Sequence, residues 1–362
     1  MITGTLARYI GRSFFGSLLV IFAGLVVLAG MIDFIEMMRR SSDLPDASAL
    51  LIARISLYRV PFLTERILPF AVLVAAMYSY LNLTRRLELV VARSAGISAW
   101  QFLWPALAIA LLAGVAATTL YNPVSTAMSE ISARLESDLM RGSHSLNEYG
   151  GGFWIRQRTA DAQALINADV SNRQGIELVG VTIFRLDLLD RFLERIEAAT
   201  ANLEDGYWRL HQVRVYGPDG LTAEEEFYDL KTNLTPREAR ESFATPDTVS
   251  FWQLSAYIDL AENVGLAAAG YRVQYYRLLT QPFYLAAMVL LAASVSLRSF
   301  RFGGVQKMVL GGVIVGFLLY VMSKITGDLS KAGMMPPLVA ALLSPFLGGI
   351  TGLMMLLHQE DG

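Results

Sequence analysis

The chain contains no cysteine among its 362 residues. That removes disulfides, thiolate metal sites, iron–sulfur clusters and a cysteine nucleophile together. An exported domain stays open, because a domain of this size builds a core without covalent staples. Histidine is almost as scarce. His144, His211 and His358 lie far apart, in no metal-ligand spacing. Charge is thin, at 17% of residues against about 25% in an average soluble domain. The net charge of −2 lacks the basic excess of a nucleic-acid binder, so no nucleic-acid partner is expected. Phosphate-loop, zinc-protease and nucleophile-elbow motifs are missing. The chain is therefore expected to hold no cofactor and no metal and to carry no catalytic residue. Work done against a gradient must draw on another subunit or an ion gradient.

What the chain has in abundance is long apolar runs. Runs of about 18 or more residues span ~30 Å of hydrocarbon as helices. Six are predicted: Phe14 to Ile35, Leu57 to Leu81, Phe102 to Tyr121, Leu278 to Leu297, Val305 to Ile325 and Pro337 to Leu357. The first, preceded by Arg8 and Arg12, is longer than a signal-peptide core and has no A-x-A site after it, so it reads as an uncleaved helix.

Between the third and fourth runs lies a polar stretch patterned as strands. Gln163 to Val170 alternates, with Ala164, Ile166, Ala168 and Val170 on one face and Leu165 the exception. Further strands are predicted over Phe153–Arg158, Ile176–Arg185, Phe192–Leu203, Tyr207–Tyr216 and Ala223–Lys231. Ser171-Asn172, Glu204-Asp205-Gly206 and Gly217-Pro218-Asp219-Gly220 mark turns, and Gly150-Gly151-Gly152 a flexible entry. Ser250–Gly265 looks like an amphipathic helix returning to the membrane. The fold class expected is a polytopic α-helical membrane protein of three plus three spans with an inserted all-β, jelly-roll-like domain. Residues 1–124 hold spans one to three, 125–268 the β domain and 269–362 spans four to six.

Lysine and arginine favour cytoplasmic loops. Arg8 and Arg12, then Arg85, Arg86 and Arg93, then Arg298, Arg301 and Lys307 fall on one side, with Glu88 the lone acid. The other side mixes signs. Both termini are therefore expected in the cytoplasm and the β domain outside, in the periplasm if the source is a bacterium.

Three motifs remain. Between spans two and three, Leu83, Leu87, Val90 and Val91 fall at helical spacing, and Gly96 suits a helix end. This predicts one short amphipathic helix over about 82–97, either dipping into headgroups or docking a cytoplasmic partner through Glu88. Gly312-x-x-x-Gly316 and Gly348-x-x-x-Gly352, with Gly16, Gly24 and Gly30 in the first span, let helix backbones approach closely. Such packing is commonly structural, and a face without bulk also suits a parting seam. Asp33, Glu36, Arg39, Arg40, Arg54, Arg59, Glu65, Arg66, Lys324 and Lys331 cluster near the outer span ends. They either snorkel to the interface or meet an anionic ligand, whose phosphates suit the arginine fork.

At this point the residues resemble the lipopolysaccharide export permeases of the LptF/LptG family, the LptG branch more than the LptF branch. The likeness runs nearly the whole chain. It is carried by Ala7-Arg8-Tyr9-Ile10-Gly11, by Arg86-Leu-Glu88-Leu-Val-Val-Ala-Arg-Ser-Ala-Gly96, by Tyr271-Arg272 through Gln281-Pro282, and by Gly333-Met-Met-Pro336-Pro337. The resemblance implies a bacterial inner-membrane permease paired with a homologous permease, LptF, and a dimeric ATPase, LptB, which holds the ATP and Mg. The segment with Arg85, Arg86, Glu88, Leu89, Arg93 and Gly96 would be the coupling helix. Lipopolysaccharide would enter between helix one of one permease and helix five of the other, a seam packed at Gly24, Gly30, Gly312 and Gly316. It would pass to a bridge formed by LptC and LptA. Arg39, Arg40, Arg54, Arg59, Arg66 and Lys324 would be the lipid-binding candidates. Asp33 departs from a basic residue in the family pattern, which leaves a lipid A of different charge open. A force-transmitting or scaffold protein with a periplasmic partner domain is the alternative. It is disfavoured by three spans ahead of the domain.

Overall fold

The computed structural model describes residues 2–42, 48–94, 96–141, 153–158, 163–172, 177–187, 191–217, 220–232, 246–263, 268–297 and 305–360. In chain order the helices are α1 (Ile2–Arg40), α2 (Ala49–Arg85), α3 (Glu88–Ser94), α4 (Ala99–Ala116), a π-helical turn (Ala117–Tyr121) and α5 (Asn122–Arg141). After six strands come α6 (Phe251–Asn263), α7 (Ala269–Ser296), α8 (Val305–Lys331) and α9 (Pro337–Glu360). Six helices among the described residues are long and apolar enough to cross a membrane: α1, α2, the run from α4 into α5, α7, α8 and α9. Two compact units result. One comprises Met1–Gly142, Ser250–Trp252 and Arg272–Gly362, the other Ser143–Val249 and Gln253–Tyr271.

In the helical unit the core gathers on small residues. Ala71, Ala75 and Ala76 of α2, Ala106 and Ala110 of α4, and Ala292 and Ala293 of α7 are fully buried, with Leu73, Phe102, Leu285 and Met288 filling the gaps. Lipid tails are as apolar as leucine, so close van der Waals fit rather than hydrophobic transfer holds such a bundle. Burial differs sharply between helices. Of the most apolar stretch of α1 only 6% is buried, against 67% for α7. Leu19, Val20, Val27, Leu28, Met31, Ile32 and Ile35 of α1 are exposed. That face meets lipid tails or another chain.

The helices run past their apolar stretches. The third span does not stop at Tyr121 but widens into a π turn and continues as α5 to Arg141, so residue 125, where the sequence reading began the β domain, falls inside a helix. The cause is local. Pro123 has no N–H for the Thr119 carbonyl and its ring pushes that carbonyl aside. The Trp252 indole N–H takes it at 3.1 Å. Thr118 Oγ1 donates to the Leu278 carbonyl at 2.8 Å. The turn is thus held from two sides.

The β unit is one antiparallel sheet in sequential order, β1 (Phe153–Arg158), β2 (Gln163–Asn172), β3 (Glu177–Leu186), β4 (Phe192–Glu204), β5 (Tyr207–Gly217) and β6 (Gly220–Lys231). The six predicted strands are present within a few residues of their expected ends. The alternation shifts phase along one row. Inward residues are Ile196 and Ala198, then Ala201 and Leu203, on β4, and Leu210 then Val213 on β5. On that row Gly180 and Gln212 take positive φ, 64° and 53°. Pairing keeps its register across the row, so neighbouring strands change phase together and their inward residues stay aligned. Trp208, Ile166, Leu178 and Leu210 are fully buried in this core. At its rim Arg209 joins Glu204 at 3.0 Å and Asp229 at 3.3 Å. Tyr207 donates to Glu204 at 2.6 Å, and that carboxylate holds the phenol's pKa above its ordinary value. The triple glycine and His144 lie outside the described residues.

Candidate functional site

The first candidate region lies between the second and third spans. One helix over 82–97 was expected; two are found. Asn82 to Arg85 finish α2, with Leu83 buried in the bundle. Arg86 N–H donates back to the Asn82 carbonyl and Leu87 N–H to the Thr84 carbonyl at 3.0 Å. Leu87 then takes the left-handed conformation, φ 59°, and its side chain is exposed. A leucine pays roughly 1–2 kcal/mol for that conformation, so the turn is held by what surrounds it. Glu88 opens α3, where its charge suits a helix start. It accepts a hydrogen bond from the Tyr9 hydroxyl of α1 at 3.3 Å. Gly96, φ 82°, follows the helix as the sequence predicted.

The result is a two-sided element. Ala92 and Ile97 pack onto the bundle core, while Leu87 and Val91 are bare, beside exposed Arg85 and Arg86. Leu89 and Arg93 are on α3, but their side chains fall outside the described residues. Two exposed apolar side chains, a carboxylate and two guanidiniums, spread from Arg85 through the turn to Val91 of α3, suit a shallow groove on a protein partner.

The second region is the far end of α1, α2 and α5. Arg39 and Arg40 both fold back on Glu36, Arg39 at 2.8 Å and Arg40 at 2.7 Å. Arg59 lies between two carboxylates, Asp33 at 3.6 Å and Glu136 closer still. Arg66 stacks on Phe62 at 4.5 Å and Arg54 sits 5.7 Å from the Tyr58 ring. Lys324 is exposed on α8. Arg39, Arg40 and Arg59 therefore have acid partners within the chain. The exposed pairs with Glu36 are worth little and exchange readily. Glu65, in α2, accepts from Asn122 Nδ2 at 2.8 Å and from Ser125 Oγ. Asn122 Oδ1 in turn accepts the Phe251 N–H at 2.8 Å, capping α6. Asn122 escaped the sequence reading, which saw only the end of an apolar run there; the signal was Asn-Pro directly after that run.

The glycines divide. A Cβ at Gly24 would meet nothing within 4 Å, and one at Gly30 would lie 3.2 Å from Val60. Gly312 and Gly316 are filled from within the chain, by Met77 and Leu73 of α2. The bulky side of α8, with Leu310, Ile314, Phe317 and Leu318, is the exposed one. Gly114 of α4, absent from the sequence reading, lies against the backbone of Pro282 of α7. Gly352 of α9 lies against the backbone at Leu290. No metal-ligating cluster exists among the described residues.

These features sit in a chain whose likeness to known proteins is nearly end to end. It is 28% identical over 358 residues to the lipopolysaccharide export system permease protein LptG of Escherichia coli K12, covering 94% of each chain. It is 25% identical over 359 residues to the LptG of Haemophilus influenzae, covering 95% of each. Residues 8–358 match the lipopolysaccharide export system permease LptF/LptG family, and six apolar helices with an antiparallel β unit are the architecture in hand: the chain belongs to that family.

Proposed function

We propose that this chain is the LptG-type permease of an ATP-driven exporter that lifts lipopolysaccharide from the outer leaflet of the bacterial inner membrane. Both termini and α3 face the cytoplasm, and the β unit faces the periplasm. The family match over residues 8–358 carries the reading. The chain supplies a surface and a passage, not bond chemistry. Its α3 docks on an ATPase dimer of the LptB type, which holds ATP and Mg, with Glu88 as polar contact and Leu87 and Val91 as the apolar one. The exposed apolar face of α1 joins a homologous LptF-type permease and borders the lipid's path. The rim of Arg39, Arg40, Arg54, Arg66 and Lys324 provides cations for an anionic head group, and Glu36 is a carboxylate that a phosphate displaces. The lipid then passes along the β unit to a bridge of the LptC and LptA type.

Purification of the tagged chain from native membranes in mild detergent, read by mass spectrometry for proteins and lipids together, tests this. An ATPase and a second six-span permease in fixed ratio, with bound lipopolysaccharide, are expected. A chain that emerges alone, or with periplasmic proteins and no lipopolysaccharide, overturns the reading in favour of a scaffold.

A further inference from the structure

The contacts of Arg59 separate it from the other rim arginines. It is largely enclosed, 21% exposed, as are Asp33 at 11% and Glu136 at 15%. Its two terminal nitrogens serve different helices. Nη2 is hydrogen-bonded to Glu136 of α5. Nη1 donates to Met37 Sδ of α1 at 3.3 Å and lies 3.6 Å from Asp33 Oδ1, also of α1. Met37 joins Ile52 and Ile55 of α2 and Leu139 of α5 in one small buried cluster beside these charges. An arginine so engaged has little left for a lipid phosphate.

We infer that Arg59 is a positioning residue, a charge clasp that holds the far half of α1 against α2 and α5. The two arms are unequal. The α5 arm is a close charge-assisted hydrogen bond, the strong kind. The α1 arm is an ion pair beyond hydrogen-bond distance plus a weak bond to sulfur. Asp33 Oδ2 is buried with no hydrogen-bond partner among the described residues. One cation between two carboxylates leaves a net negative charge, and an under-satisfied buried carboxylate weakens its own arm. The clasp therefore opens on the α1 side and leaves α2 joined to α5. Beside the clasp α1 is held there by the Met37 cluster and by the approach of Gly30 to Val60, while its outward apolar face is bare. That α1 parts to admit lipid rests on the permease reading above; the clasp itself does not.

The chain's lack of cysteine gives a clean background for the test. Gly30→Cys with Val60→Cys reports the far half of the α1–α2 contact, because a Cβ at Gly30 lies 3.2 Å from Val60. Ser13→Cys with Ser79→Cys reports the near half, where the two hydroxyls are 3.3 Å apart. Oxidative cross-linking rates of both pairs are measured in membranes holding the full chain, with Arg59 intact and as Arg59→Gln, Arg59→Lys and Asp33→Asn. Arg59→Gln and Asp33→Asn should each slow the far pair by roughly tenfold, as a 1.4 kcal/mol loosening gives, and leave the near pair unchanged. Arg59→Lys should recover part of the rate. An unchanged far pair in Arg59→Gln overturns the clasp. So does equal slowing of both pairs, which would mark a general packing role. The rates do not depend on what is transported, so the clasp and the exporter reading fail separately.

Discussion

Replacing Gly114 by alanine should loosen the crossing of α4 and α7 measurably. The added methyl would lie 2.8 Å from the Pro282 nitrogen and 3.0 Å from its Cβ, with the Pro282 Cα in the way as well. Backbone and a proline ring cannot rotate aside as a flexible side chain can, so the helices must separate. Over-packing of this kind costs about 1–3 kcal/mol, and a backbone obstacle places this case at the upper end. The intrinsic helix gain from glycine to alanine returns about 1 kcal/mol. The net loss is about 2 kcal/mol, or roughly 3 °C in unfolding midpoint for a chain of this size. Thermal unfolding of the detergent-purified chain, followed by tryptophan fluorescence, reads it. Gly24→Ala is the matched control, because nothing lies within 4 Å of its added methyl; it should hold or raise the midpoint. Equal midpoints for the two variants would refute the close crossing and the role of Gly114 in it.

Three further outcomes follow from the same geometry. Glu88→Lys should abolish co-purification of the ATPase while permease levels stay normal; full recruitment in that strain contradicts the docking role of α3. Leu87→Gly should leave the turn unstrained, since glycine accepts a φ of 59°, yet weaken ATPase recruitment because it removes the exposed apolar contact; full recruitment by this variant would remove Leu87 from the docking surface. Asn122→Ala should lower the unfolding midpoint, because it strips a donor from Glu65 and an acceptor from the Phe251 N–H, each worth about 1–3 kcal/mol when left buried and unmet; an unchanged midpoint would show that water replaces both bonds.

Much of the architecture was legible because its signals are periodic. Six apolar runs match six helices long enough to span, and alternation with turn signals places six strands to within a few residues. What escaped depends on a single residue acting against a period. Pro123 does not end the third span, which continues through a π turn, because Trp252 meets the Thr119 carbonyl that the proline leaves without a partner. Leu87 fits the helical spacing of the loop yet leaves the helix, since its own N–H and that of Arg86 close α2 onto Thr84 and Asn82. Charge partners were illegible for a different reason. Asp33 and Arg59 are 26 residues apart and Glu136 another 77, and no local pattern joins them. The glycine motif of α8 was visible, but which side of the helix it faced was a matter of tertiary packing against Met77 and Leu73.

ATP-driven lipopolysaccharide export by this permease is tested most directly by transport itself. The chain, purified with its permease and ATPase partners, is placed in vesicles containing lipopolysaccharide, and release to a soluble periplasmic acceptor is followed by cross-linking after ATP is added. Release should need ATP and be lost in Glu88→Lys. Brisk ATP hydrolysis with no release, or release that proceeds without ATP, would contradict ATP-driven export.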